Sequence, residues 1–120
     1  HVIVAPPPGA VNGVGFFGGN EGPQPPAPPS GFFPSGPIVS VFFDAFAPFT
    51  ITRHDIVDET GATLPVTFVD PSNAQVGAFM ENSVAFYADG PAPSGATFHV
   101  FVEGTVNGAP FAKDWTFTVQ

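Results

Sequence analysis

Apolar and polar residues alternate with a period of two over several short runs, and the chain carries almost no helical periodicity. In residues 38–43, Val39, Val41 and Phe43 fall on one face, Ile38, Ser40 and Phe42 on the other. The first set reads as inward-facing; Phe42 then points outward, onto a neighbouring segment or a partner. Residues 97–103 alternate cleanly, with Phe98, Val100 and Val102 inward and Thr97, His99, Phe101 and Glu103 outward. Trp115, Phe117 and Val119 alternate with Asp114, Thr116 and Thr118 in the last run. Three further runs lie between: 49–58 with Ile51 and Ile56 as apolar anchors, 64–70, and 83–88 with Val84 and Phe86 on one side. Val2 to Ala5 form a short β run stopped by Pro6-Pro7-Pro8, whose missing N–H groups cannot extend a ladder, so an edge strand is predicted over 2–5.

Turn chemistry separates these runs. Glu59-Thr60-Gly61, Asp70-Pro71-Ser72-Asn73 and the 90–95 stretch break the chain, and Asn107-Gly108 is a type I′ hairpin signal. Only the stretch near Asn73 to Met80 offers a helical turn. Seven short strands spaced by such turns predict an all-β chain, an immunoglobulin-like β-sandwich.

Composition sharpens the boundaries. The 120 residues include 16 prolines, 14 glycines and 15 phenylalanines. Residues 1–40 hold ten of the prolines and eight of the glycines. The chain therefore divides into a Pro/Gly-rich lead-in, 1–37, and a sandwich, 38–120. With 43% hydrophobic residues the chain is not compositionally disordered. Phe16-Phe17 and Phe32-Phe33 are expected to pin the lead-in onto the sandwich, because four phenylalanines in a solvated linker would be costly. There is no cysteine, so disulfides and Cys-based metal sites are excluded, and packing alone must hold the sheets.

Charge excludes other classes. Two cations, Arg53 and Lys113, stand against ten acidic residues, giving a net charge of −8. That rules out neutralising a phosphate backbone and attraction to an anionic bilayer, so neither nucleic acid nor membrane insertion is expected. No apolar run approaches the roughly 18 residues of a spanning helix, and no signal peptide is visible at the start.

The order of the runs resembles a known family. Residues 38–43 (IVSVFF), 49–52 (FTIT), 56–66 (IVDETGATLPV), 91–100 (PAPSGATFHV) and 115–118 (WTFT) are similar to bacterial Ig-like domains of the S-layer type. Those read as a strand, a segment like TLTDxxGxPV, a segment like PLxxGTxYxVxV and a closing WxFTT. The start around Pro8-Gly9-Ala10 and Gly13-Val14, and the end from Gly104 to Phe111, also look like the Ig-like C-terminal region of some secreted bacterial CAP-superfamily (SCP-like) proteins. The resemblance implies an accessory module, extracellular, periplasmic or on the cell surface, beside an adjacent domain of the same parent chain. These are scaffold motifs and imply fold more strongly than function.

Candidate chemistry is sparse. His1 is a candidate copper ligand through its amino group and ring, but copper-carrier sandwiches add an Asp-x-His near the last hairpin, where this chain has no histidine between Asn107 and Asp114. His54-Asp55 as a base and its orienter is a poor dyad, since adjacent strand residues point to opposite faces, and a solvated pair is the favoured reading. Asp58-Glu59, in a turn beside Gly61, reads as a pair of solvated turn acids; the alternatives are half of a glycosidase pair or a calcium ligand set, and no D-x-[DN]-x-[DN] loop is present for the latter. No serine sits in a G-x-S-x-G elbow. No catalytic residue and no cofactor is expected. The candidate interaction surface is aromatic: Phe42, Phe101 and Tyr87, with His99 beside them, facing a protein or a cell-surface glycan; the alternative, which is favoured, is that the lead-in covers the outward aromatics.

Overall fold

The computed structural model describes residues 2–10, 25–74 and 76–120. Seven strands form: β1 (Val2–Ala5), β2 (Val39–Phe43), β3 (Phe49–Val57), β4 (Thr67–Val69), β5 (Ser83–Tyr87), β6 (Thr97–Val106) and β7 (Ala109–Thr118), with one 3-10 turn at Gly77–Phe79. They make two antiparallel sheets, a four-stranded one in the order β1-β2-β5-β4 and a three-stranded one in the order β3-β6-β7. The chain changes sheet between β2 and β3, between β3 and β4, and again between β5 and β6.

The period-two pattern decides what lies between the sheets. Val39, Val41 and Phe43 of β2 and Val84 and Phe86 of β5 are buried against Phe98, Val100 and Val102 of β6 and Trp115 and Phe117 of β7. Aromatic rings carry much of the cross-sheet contact. Phe43 of one sheet stacks on Phe49 of the other at 4.3 Å, with the Phe111 edge 5.7 Å away. Burial of each such side chain stabilises by roughly 1.5–3 kcal/mol.

Beyond β1 the chain crosses from one sheet to the other. β1 pairs with β2 in the four-stranded sheet. Residues 6–10 then run along β7 of the other sheet: the Gly9 N–H donates to the Thr116 carbonyl and the Thr118 N–H to the Ala10 carbonyl, both at 2.8 Å. The Trp115 indole N–H donates to the Pro6 carbonyl at 2.9 Å. A strap of five residues thus clasps the sandwich edge without a covalent link.

Three details depart from the alternation. β3 carries a bulge between Ile51 and Arg53, so the inward parity changes and His54 and Ile56 follow Ile51 into the interior. The expected 64–70 strand is split. Leu64 donates its N–H to Ile56 of β3, Pro65 has no N–H to continue, and only 67–69 pairs with β5. At the other extreme, β6 and β7 run ten residues each, up to a turn in which Asn107 and Gly108 hold φ of 53° and 78°.

Residues 25–37 lie against β4 and β5. The Tyr87 hydroxyl donates to the Pro26 carbonyl, Thr67 to Ala27, and Gly36 to Ala88. Gly90 is required here, because a Cβ at that position would overlap the Ser35 backbone. Of the four phenylalanines expected to pin the lead-in, Phe32 is 78% exposed, Phe33 is half-buried, and Phe16 and Phe17 lie outside the described residues. Backbone bonds and the buried Pro28 and Pro37 also hold residues 25–37.

Trp115 combines core burial with the bond to the strap. Trp115→Ala is expected to cost about 3–5 kcal/mol in urea denaturation, and Trp115→Phe, which keeps most of the ring volume but loses the bond, about 1 kcal/mol for the hydrogen bond alone. A midpoint unchanged in the alanine variant would show that neither role matters.

Candidate functional site

The segment joining β2 to β3, residues 44–48, presents the most exposed aromatic side chain among the described residues, Phe46, with Phe32 and Phe42 exposed elsewhere. Ala47 N–H closes a turn onto the Asp44 carbonyl at 3.0 Å. Asn82, at the start of β5, donates from its side-chain amide to the carbonyls of Asp44 (2.7 Å) and Ala47 (2.8 Å). The Asn107 N–H of the β6–β7 hairpin donates to the Pro48 carbonyl at 2.8 Å. Held this way, Phe46 takes φ = 64° and is 99% exposed. A left-handed backbone costs a non-glycine residue roughly 1–2 kcal/mol, and a bulky residue rarely adopts it. The ring packs on nothing in the core, and the bonds from Asn82 and Asn107 hold the segment that places it.

Phe46 borders an open concavity of about 810 Å³, whose lining includes Phe42, Met80, Val84 and Glu81. Phe42 is 45% exposed, and Ile3, its β1 neighbour across the ladder, 55%. Ile3, Phe42 and Phe46 therefore expose apolar surface at one end of the four-stranded sheet, with Glu81 among the lining residues.

The sequence candidates do not converge on this surface. Phe42 is there. Phe101 and His99 lie on the outer face of the other sheet, where the Arg53 guanidinium sits 4.4 Å over the Phe101 ring and the His99 ring stacks on it at 4.2 Å. Arg53 is in turn bonded to Asp55 (2.7 Å) and Glu103 (3.1 Å), and His99 to Asp114 (3.0 Å). Phe101 is thus covered by its own neighbours. Tyr87 has to be withdrawn from the surface: it is 1% exposed, because residues 25–37 pack over it and take its hydroxyl, and burial raises its pKa. His1 lies outside the described residues. Phe46 was not among the candidates, although one signal was available: an aromatic residue set between two alanines, outside both flanking strand runs.

Two titratable groups have defined roles. Asp58 closes its own turn, accepting from the Thr60 N–H (2.9 Å), the Thr60 hydroxyl (2.6 Å) and the Ala62 N–H (3.1 Å), and these bonds, the hydroxyl foremost, hold its carboxyl below the usual range. No three acidic or histidine side chains gather to hold a metal ion among the described residues. His54 is not half of a solvated pair. The bulge turns it inward, against Phe68 at 4.3 Å and Phe86 at 5.6 Å, and its Nδ1 is buried with no hydrogen-bond partner. Desolvation lowers its pKa, with Asp55 opposing weakly.

Comparison of the chain with protein-family models, with curated proteins and with solved structures finds no match.

A histidine held neutral makes stability depend on pH. Unfolded His54 takes up its proton near pH 6.5 and the folded one only at lower pH, so its contribution is complete above about pH 6.5 and declines as pH falls below it. The urea midpoint of the wild type is expected to drop between pH 7.5 and 5.5 relative to that of His54→Phe. Parallel curves for the two proteins would show that His54 is not the group responsible.

Proposed function

We propose that the chain is a non-catalytic, immunoglobulin-like accessory module that engages another protein surface through the Phe46 end. What supports the immunoglobulin-like reading is strand order. The order β1-β2-β5-β4 opposite β3-β6-β7 matches the A-B-E-D and C-F-G sheets of a constant-type immunoglobulin sandwich. Two features of antibody domains are missing: the inter-sheet disulfide, and a core tryptophan on the third strand, the chain's one tryptophan lying on β7. The resemblance to bacterial Ig-like domains of the S-layer and CAP-associated types supports a secreted or cell-surface setting beside a neighbouring domain.

The observation that carries the interaction reading is Phe46: a large apolar side chain, fully exposed, in an unfavourable backbone region maintained by the Asn82 side chain. Strain held in place by surrounding bonds at an exposed residue is a mark of a functional position. The partner it suits is apolar, meeting Ile3, Phe42 and Phe46 at once. A glycan platform has less support, since Tyr87 is buried and Phe101 is covered by Arg53 and His99. The copper reading rests on His1 alone.

Relieving the strain and removing the contact should have opposite effects. Phe46→Asn is expected to raise stability by roughly 0.5–1 kcal/mol, because asparagine tolerates a left-handed backbone. A photoreactive benzophenone residue in place of Phe46, in cells producing the chain, is expected to cross-link to one defined protein surface. The same residue in place of the exposed Thr116 serves as the control. Equal, scattered cross-linking at both positions would defeat the interaction reading.

A further inference from the structure

The opposite end of the sandwich holds a second recess with different chemistry. The turn after β3, residues 58–64, and the segment after β5, residues 88–96, leave a cleft of about 320 Å³ between the sheets. Its walls are apolar: Pro37, Ile56, Leu64, Ala92, Ala96 and Phe98. Asp58, Glu59 and Asp89 also line it. The volume lies at the small end of the range for ligand sites, and an apolar cleft with a few fixed polar groups is their usual composition.

The three carboxylates are fixed in place and uncompensated. Asp58 is held by Thr60 and Ala62. Glu59 accepts the Thr97 N–H at 2.6 Å, and Asp89 accepts the Ser30 N–H at 2.8 Å. Among the described residues none of the three has an ion pair; the arginine is committed to Asp55 and Glu103. Nor do the three gather as a metal-binding group. Three carboxylates spread around an apolar cleft give it a negative potential, which favours a ligand that combines an apolar body with a positive charge.

We propose that this cleft binds a small apolar amine, an alkyl or aralkyl chain ending in a primary ammonium, with the chain between Leu64 and Phe98 and the ammonium drawn by the negative field of the lining carboxylates, not chelated by all three together. The inference is independent of the Phe46 surface, which lies at the far end of both sheets. Neutral ligands of the same shape should gain only the apolar contact, and anionic ones should be repelled.

The test is an NMR titration of the chain with n-hexylammonium chloride, with 1-hexanol as the neutral probe, read from backbone amide shifts at low salt. Saturable shifts confined to Leu64, Ala92, Ala96, Phe98 and their neighbours are expected, with the amine bound about three- to fivefold more tightly than the alcohol. Glu59→Gln with Asp89→Asn keeps the oxygens that accept from Thr97 and Ser30 while removing two charges, and should erase most of that preference. Ala92→Phe, at a half-exposed wall position, should block both probes. Scattered or non-saturating shifts, equal affinity for amine and alcohol, or an amine preference that survives the charge-neutral double variant would each overturn the proposal.

Discussion

The strap of residues 6–10 is the constraint on which the sandwich depends. Each sheet satisfies its own interior hydrogen bonds, so nothing in the ladders themselves ties one sheet to the other. The strap does so by continuing from β1, bonded to β2, into contact with β7 through Gly9, Ala10 and Trp115. Three hydrogen bonds at roughly 1 kcal/mol each are modest, but they set the position of the sheets while the aromatic core supplies cohesion. In a chain without cysteine this division of labour takes the place of a cross-sheet covalent bond.

Once the sheets are placed, the two ends follow. At one end the β2–β3 segment, the start of β5 and the β6–β7 hairpin are bonded to each other through Asn82 and Asn107, and the product is an exposed Phe46 on an unfavourable backbone. At the other, the prolines of the 88–96 segment and the self-closed Asp58 turn hold the sheets' ends apart around an apolar cleft. Between them, His54 occupies an interior position that a hydrocarbon would fill without a pH dependence.

Much of this was legible in the sequence, for physical reasons. A period of two reports which face of a strand is buried, so β2, β6 and β7 and their inward residues could be read directly, as could the Asn107-Gly108 turn. The edge position of 2–5 followed from the prolines after it. What alternation cannot report is where its own parity changes. Ile56 lies an odd number of positions after Ile51, so both can face inward only if the strand contains a bulge. That bulge carries His54 inward and undoes its reading as a solvated residue. Alternation assigns Tyr87 a face but not what covers it; of the two readings left open, the lead-in as cover is the one that holds for Tyr87, through residues 25–37. Phe46 belongs to no periodic run, so alternation is silent on it and only its place between two alanines, outside both strand runs, marks it.

The strap's role is tested most directly by amide hydrogen exchange under native conditions. Thr118 lies near the end of the last strand, and its N–H is bonded to Ala10 and not to its own sheet. If the strap closes the sandwich, Thr118 exchanges as slowly as the core amides of Val100 and Val41, through global unfolding alone. Exchange of Thr118 at a rate close to that of an unprotected amide, with Val100 and Val41 still protected, would mean that the sheets hold together without the strap.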